Sequence, residues 1–440
     1  MSKRGEKFEF AKQIRLAPPC DVLVVGGGIA GAMAALAAAR RGAQVLLLER
    51  YGFLGGTPVA NAGPHYCFCG DTAGQGQLFD ELVTGLEELG AIVPYEPWDP
   101  GAILRFSHDD WDYSAARYFD NTMYQLALQE LVLREKGIKL LLHSRVIDGV
   151  MDDGQVTAVV FHNPSGLQAI QPQVVVDCTG DANLASTAGF PCTSGRDSDG
   201  MPLPMSLRLS LRDTGQPVAA VLPSWSERFE QTTDMPMVSL TLDQERIADF
   251  RVKVVGHDPA SGEGITEAEA TSRRGVPGIV HFLQTHGYPN HKLEGISAQI
   301  GVRIGRRIVG EYTLSEEDVR GGAPFKDGIA RGTCNLSDRS LMDGSTNKQT
   351  HDELDVVVVP AYQIPYRSLV PRGGKNILVA GRCFSADHRA LSSARMMPAC
   401  AMMGQAAGAA AARSADTGRV VMDVDIPALQ AELKAAGADF

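Results

Sequence analysis

The chain has 440 residues, 44% of them apolar and 21% charged, and its 41 Lys+Arg stand against 52 Asp+Glu for a net charge of -11. That length predicts two or three domains and a core that needs no disulfides. The acidic balance argues against nucleic acid as a partner, because phosphate binding needs clustered cations, yet it leaves room for a local basic pocket that takes an anionic small molecule.

In chain order, residues 1–17 are mixed in charge and lack an apolar stretch, so they read as a mobile arm rather than a signal peptide. Pro18-Pro19 sets an extended approach to DVLVV, a short buried strand. A helix of small residues follows from Gly28 to Arg41, closed by Gly42, and QVLLLER is the next strand. This is a βαβ opening, which goes with a covered parallel sheet. Residues 78–89 and 121–136 carry amphipathic helical patterns, the second capped by Asp120 or Asn121 and closed by Gly137. IKLLLHSR is a strand, and a hairpin after it turns at Asp153-Gly154. QVVVDCTGDA is another buried strand ending in a turn.

From 191 to 359 the chain is richer in charge and Pro, with half-buried alternation such as MSLRLSL. Within it, 226–292 offers no assignable element. YQIPYRSLV, NILVAGR and a long Ala/Gly/Met helix then return to the α/β texture. The expected organisation is an arm over 1–17, a discontinuous α/β domain over 18–190 and 360–415, an inserted domain over 191–359, and a tail with a helix over 416–440. No run of about 20 uncharged apolar residues occurs, so no membrane span or membrane partner is expected. Eight scattered Cys without a CxxC pair fit a reducing cytoplasm.

The 47 Gly exceed the usual share of about 7% and gather beside apolar runs. Gly26, Gly28 and Gly31 form GxGxxG between a strand and a helix. The first permits the tight turn, the second lets backbone approach a pyrophosphate, and the third lets helix and sheet pack closely. The helix start offers free N–H groups and a positive dipole end to the phosphates. Glu49 closes the second strand, where a carboxylate accepts hydrogen bonds from a ribose diol. Strand, helix and terminal Glu in register predict a dinucleotide site. A second flexible loop, Gly55-Gly56, lies between Arg50 and Thr57 and would fold over the pyrophosphate side. Only one such fingerprint occurs in the chain.

ERYGFLGG, VVVDCTGDANLASTAGFP, IGVRIGRRIVGEYTLSEEDVRGGAPFKDGIARG and IPYRSLVPRGGKNILVAGRCFSADHRALSSARMMPACAMMGQAAGAAAA together resemble the FAD-dependent oxidoreductase family. Its flavin domain is similar to that of glutathione reductase and of the succinate dehydrogenase flavoprotein group. The resemblance spans most of 20–415 and is weakest over 226–292. It implies an α/β fold: a Rossmann-like, three-layer FAD-binding domain with a mostly parallel sheet, and an inserted α+β substrate domain rich in antiparallel strands. It implies bound FAD and redox chemistry on a substrate it does not name. It also implies that Val146 gives a backbone contact to adenine and that Thr179 and Gly180 close over the nucleotide. Related flavoproteins often carry Asp after the Gly that matches Gly381; here Arg382 stands instead. In related folds the start of the last long helix, with the N–H groups of Ala399 and Cys400, points at the flavin pyrimidine. A positive dipole there stabilises charge that develops on reduction.

Flavin chemistry also needs a positioned substrate and a proton-transfer group. His388 is the candidate acid or base, and the alternative for it is a structural histidine. Arg303, with Arg306 and Arg307 beside it, would clamp a substrate carboxylate or else pair with the acidic EEDV segment. Arg303 and Arg307 share a face in either a helix or a strand. Arg395 precedes the helix start and favours an anionic substrate or reduced flavin. His65, Cys67 and Cys69 in HYCFCG offer three readings: covalent attachment to the flavin, a redox-active thiol, or a metal site, against a bland lining role. No metal ligand set is assigned. Asp181 reads as a helix N-cap. The expected activity is hydride transfer between a small organic substrate and flavin N5, of dehydrogenase or oxidase type. The alternatives are an NAD(P)H-driven reductase or monooxygenase, and a non-catalytic FAD protein. The substrate is the one partner expected, alongside a possible homo-oligomer.

Overall fold

The computed structural model describes residues 11–61, 65–93, 117–231, 234, 237–242, 247–338 and 355–440. The first strand, β1 (Arg15–Leu16), follows the N-terminal residues, and β2 (Val22–Val25) leads into α1 (Ile29–Arg40) and β3 (Val45–Leu48). A short α2 (Thr57–Ala60) precedes β4 (His65–Phe68), α3 (Gln77–Glu88) and β5 (Ile92–Val93). Then come β6 (Arg117–Asp120), α4 (Asn121–Leu133), β7 (Ile138–Leu141), the meander β8 (Arg145–Asp152), β9 (Gln155–Asn163) and β10 (Gly166–Ile170), and β11 (Val174–Asp177) with α5 (Asn183–Thr187). The remaining elements are β12 (Cys192–Thr193), β13 (Met205–Asp213), β14 (Met237–Leu242), β15 (Ile247–Val254), α6 (Gly262–Thr285), β16 (His291–Ile296) and β17 (Arg307–Ile308). They continue as α7 (Glu316–Gly321), β18 (Gly328–Gly332), β19 (Leu336–Asp338), β20 (Asp355–Val357), β21 (Tyr362–Pro365), β22 (Ile377–Val379), α8 (His388–Ala394), α9 (Met397–Thr417) and α10 (Ile426–Ala435).

A five-stranded parallel sheet, β22-β11-β2-β3-β7, carries the nucleotide end of the molecule. Strand side chains alternate between faces, so a sheet covered on both sides reads as unbroken apolar runs. Val22 and Val24 face the core that holds α1 and α9. Leu23 and Val25 face a second core with Val156, Val159 and Phe161 of β9 and Ile170 of β10. The result is three layers: helices, the parallel sheet, and the antiparallel meander. α1 and α9 touch through backbone. A methyl group added at Gly404 would lie 2.1 Å from Ala30 O, and one at Gly408 the same distance from Ala34 O.

The inserted region forms its own four-stranded antiparallel sheet, β14-β15-β13-β16. Leu207, Leu209 and Leu211 of β13 pack on Val276, Ile279, Phe282 and Leu283 of α6. Asn61 ties this region to the nucleotide domain: its Nδ2 donates to Ser206 O, Ser297 Oγ and Gln299 O at 2.9–3.1 Å.

Several expectations shift. The arm over 1–17 ends in paired structure, because β1 runs parallel to β10 and Ala17 N–H donates to Ala169 O at 2.7 Å. The second amphipathic helix closes at Arg134 rather than Gly137, and Asp120 caps its start through Met123 N. HYCFCG contributes the strand β4, paired antiparallel with β6. The uninterpretable stretch 226–292 holds α6, capped by Ser261 Oγ on Gly264 N with Pro277 inside it. The hairpin turns as expected, with Asp153 and Gly154 both at positive φ, 44° and 76°.

Candidate functional site

The glycines of the first turn are required by contact distances. A side chain at Gly26 would meet Cys178 O at 2.5 Å, and one at Gly31 would meet Gly26 O at 1.7 Å. Gly28 differs: a methyl there meets only Gly56 Cα, at 3.8 Å. The space before Gly28 is therefore bounded by backbone alone, on one side by the turn and on the other by the second loop. That loop is pinned where the sequence placed it, since Gly55 N–H donates to Gly27 O at 2.9 Å. Gly55 and Gly56 adopt φ of 113° and 65°, which bring the chain across the turn. α1 starts without a side-chain cap, and its first internal bond is Ala32 N–H to Gly28 O. Its first-turn N–H groups are thus available to an anion.

Glu49 is buried at the end of β3. Its Oε2 accepts from Gly27 N–H at 2.6 Å and its Oε1 from Tyr51 N–H at 2.8 Å, so one carboxylate fixes both the phosphate turn and the chain that follows. Burial raises its pKa, against the lowering by these two hydrogen bonds. Arg50 lies over the Tyr51 ring, 4.7 Å from its centroid. Val146, the second residue of β8, lies beside this end of the site, because Ser144 N–H donates to Glu49 O and His143 N–H to Tyr51 O. Thr57 opens α2 and accepts from Asn61 N–H. Replacing Glu49 by Gln puts an NH₂ against a backbone donor. E49Q is expected to weaken FAD binding about 10- to 100-fold, the worth of a hydrogen bond to a charged group. Because the Glu49 carboxyl protonates above the usual carboxylate range, wild-type protein is expected to shed flavin on acidification earlier than an ordinary Glu would dictate. Equilibrium dialysis of FAD against pH checks both.

The ends of β11 and β22 close the site. Asp177, fully buried, accepts from Thr179 N, Thr179 Oγ1 and Ala185 N at 2.7–2.9 Å. Burial nonetheless raises its pKa. Thr179 Oγ1 in turn accepts from Asn183 N at 2.8 Å, so it, and not Asp181, satisfies the start of α5. Asp181 instead pairs with Arg382, 3.1 Å between Oδ1 and Nη2. Gly180 and Gly381 hold φ of 79° and 84°. A side chain at Gly180 would strike Arg382 Nη2 at 2.8 Å. Arg382, which also donates to Val302 O, therefore packs on the strand-end turn.

Pro398 lies in the first turn of α9, as its missing N–H allows. Cys400 N–H is spent on Met396 O, so Ala399 keeps the open N–H at this helix start and Cys400 does not. A small pocket open to solvent adjoins it, lined among others by Cys69, Thr333, Cys334, Ser393, Met396 and Ala399. Arg395 caps the C-terminus of α8, one residue before Met396. Its Nε is buried without a hydrogen-bond partner, and desolvation lowers its pKa while Tyr66, Cys334 and Cys69 oppose that.

The four candidates for catalysis come from α8, from β4 and from the irregular stretch before β17. His388 is the buried first residue of α8, capped by Asp387 through Ala390 N, and stands about 10 Å of helix away from Arg395. Arg303 Nη1 donates to Pro204 O at 2.7 Å. Residues 301–306 form neither helix nor strand, so Arg303 and Arg307 share no face. Arg306 turns to Asp181 O and Asn183 Oδ1, and buried Arg307 to Ala386 O and Gly195 O. In the EEDV segment, Glu316 pairs with Arg320 and Arg389. His65 is in β4 opposite Asp120, and its side chain lies outside the described residues. Two residues were not singled out for the site from sequence: Asp177, signalled by a carboxylate ending an apolar strand, and Arg208, buried with its Cζ 5.3 Å from the Tyr66 ring centroid. Among the described residues, no cluster of metal-ligating side chains occurs.

The parallel sheet, the glycine turn and Glu49 define a Rossmann-type dinucleotide-binding protein. The chain belongs to the FAD dependent oxidoreductase family, which matches residues 21–433, and its cofactor is FAD. The backbone-walled space at Gly28 and the Glu49 carboxylate fit that cofactor. Digeranylgeranylglycerophospholipid reductase 2 of Methanothermobacter thermautotrophicus is 34% identical over 179 residues, 39% of this chain and 42% of the relative. The chain spans about two-fifths of the curated relatives it matches. A solved geranylgeranyl bacteriochlorophyll reductase-like protein from Thermoplasma acidophilum has a TM-score of 0.46 at 11% identity, covering 95% of this chain and 82% of that one. For p-nitrophenol 4-monooxygenase from Pseudomonas putida the values are 0.47 and 14%, covering 97% and 88%. Among the described residues, no helix is long and apolar enough to cross a membrane.

Proposed function

We propose that this oxidoreductase exchanges a hydride between FAD and a small anionic organic substrate at the cavity beside the start of α9. Gly26, Gly28, Gly31, Glu49, Gly55, Gly56, Thr179 and Gly180 would hold the dinucleotide, with Val146 at the adenine end and Gly381, Arg382 and Ala399 at the flavin end. FAD supplies the hydride acceptor or donor at N5. The observation that carries the proposal is Arg395, a half-buried side chain whose Nε is buried without a hydrogen-bond partner and which directly precedes Met396 of the pocket lining. An anion bound there would replace the hydration that burial removes, and the planar guanidinium would orient a carboxylate through paired N–H donors. Ala399 N–H and the α9 dipole would hold negative charge at the other end of the cavity. Cys334, Ser393 and Met396 line the same pocket.

The test uses FAD-loaded protein and a panel of carboxylates, benzoate among them, read by perturbation of the flavin absorbance. Wild type is expected to respond to carboxylates, and R395M to lose affinity about 10- to 100-fold with FAD retained. Equal binding by both proteins would overturn the anion reading. Rapid anaerobic bleaching by NADPH without any substrate would replace substrate oxidation by NAD(P)H-driven reduction.

A further inference from the structure

HYCFCG places two thiols two residues apart, Cys67 within β4 and Cys69 directly after its last residue, Phe68. Their Sγ atoms lie 2.9 Å apart, within about 1 Å of the S–S bond length. Both neighbouring residues are fixed. Phe68 is buried against Phe79, Phe119 and Tyr124, with ring centroids 4.4–6.3 Å away. Gly70 has φ 95°, and Asp71 N–H donates to Thr333 Oγ1 at 2.8 Å, so the chain turns sharply as it leaves Cys69. Cys69 is half-buried and lines the cavity at the α9 start, whereas Cys67 is buried. Arg395 lies close enough to Cys69 for the two charges to interact.

Among the other cysteines, Cys334 lines the same cavity but is buried. Cys178 and Cys383 are buried in the strand-end core, where desolvation holds both thiols protonated, and Cys400 is pushed up to about 12.

We propose that Cys67 and Cys69 are a redox-active pair that closes to a disulfide and exchanges two electrons with FAD across the cavity. In the oxidising direction two S–H bonds break and one S–S bond forms. The electron pair and two protons leave the thiols, and FAD is reduced to FADH₂. The reverse direction reopens the disulfide. The contact with FAD rests on the placement of the flavin at this cavity; the disulfide does not.

The experiment is an anaerobic reductive titration of air-oxidised, FAD-loaded protein with dithionite, followed by acid quench, alkylation and peptide mass mapping. Wild type is expected to take up four electrons per flavin, and C67S and C69S two, since a disulfide is a two-electron couple. The oxidised wild-type peptide should be lighter by two hydrogens and escape alkylation at both positions. During reduction a long-wavelength thiolate-to-flavin absorbance band should appear in wild type and be missing in C69S. Uptake of two electrons by wild type, with both cysteines alkylated before reduction, overturns the pair. Uptake of four electrons without the band retains the disulfide and overturns its contact with the flavin, and with it the placement of the flavin here. The wild-type mass map stands by itself should either serine variant fail to fold.

Discussion

G31A is expected to yield little folded protein and no bound flavin, while G28A folds as wild type and loses flavin alone. The two substitutions are chemically identical and sit three residues apart in one turn. At Gly31 the added methyl would lie 1.7 Å from Gly26 O, a backbone atom that cannot move without pulling β2 from the sheet. Overpacking of this kind costs about 1–3 kcal/mol where neighbours can shift, and here they are main chain in both elements, so the upper end or beyond is expected. At Gly28 the methyl meets only Gly56 Cα at 3.8 Å, and the residue's φ of -68° suits any L-residue. The methyl would instead occupy the space that backbone leaves for pyrophosphate. Urea denaturation of the apo proteins, together with flavin content after reconstitution, separates the two effects. A stable, flavin-free G31A, or a G28A that binds FAD normally, would contradict the assignment of roles.

The second large effect concerns Asp177. D177A leaves Thr179 N–H, Thr179 Oγ1 and Ala185 N–H without their acceptor in a fully buried setting. Bonds to a charged group are worth about 1.5–3 kcal/mol each, and relief of a buried charge offsets part of that, so a net loss of about 3 kcal/mol is expected. D177N keeps an acceptor for Thr179 and turns an NH₂ toward Ala185 N–H, for about 1–2 kcal/mol. Burial raises the Asp177 pKa in the folded state, so its contribution to stability is greatest below the unfolded value and falls as pH rises through the raised one. The D177A deficit should therefore shrink with rising pH, which chemical denaturation across a pH series measures. A deficit that grows with pH would mean that the hydrogen bonds outweigh burial. Because the same carboxylate shapes the Thr179-Gly180 turn, both variants should also bind FAD less tightly.

The nucleotide half of this molecule was readable because its signals are local. Strand, glycine turn, helix and Glu49 fall within residues 22–49, and Gly26 and Gly31 answer to contacts inside that segment or at the end of the strand beside it. Elsewhere the decisive partners are distant. β4 is a strand because β6 pairs with it, and about 50 residues separate them. α6 breaks the local rules with Pro277 and with Gly262, Gly264, Gly275 and Gly278, yet Val276, Ile279, Phe282 and Leu283 bury a full apolar face on β13. That burial outweighs helix propensity, which is only a weak prior. The arginines of 303–307 looked like one cluster in sequence, but an irregular backbone sends each to a different carbonyl. Asp181 lost its capping role to Thr179 because Ala182 adopts a left-handed conformation ahead of α5.

The backbone contact of α1 with α9 has a consequence for biosynthesis. Two helices that meet at Ala30–Gly404 and Ala34–Gly408 are separated by more than 350 residues of translation. At roughly 5–20 residues per second, α1 waits on the order of tens of seconds on the ribosome for the surface that covers it. Throughout that interval its alanines and the apolar face of β2 have no native cover from α9. A nascent chain stalled before residue 397 is therefore a natural client for a chaperone, and flavin capture, which needs both ends of the chain, is expected to follow release rather than precede it.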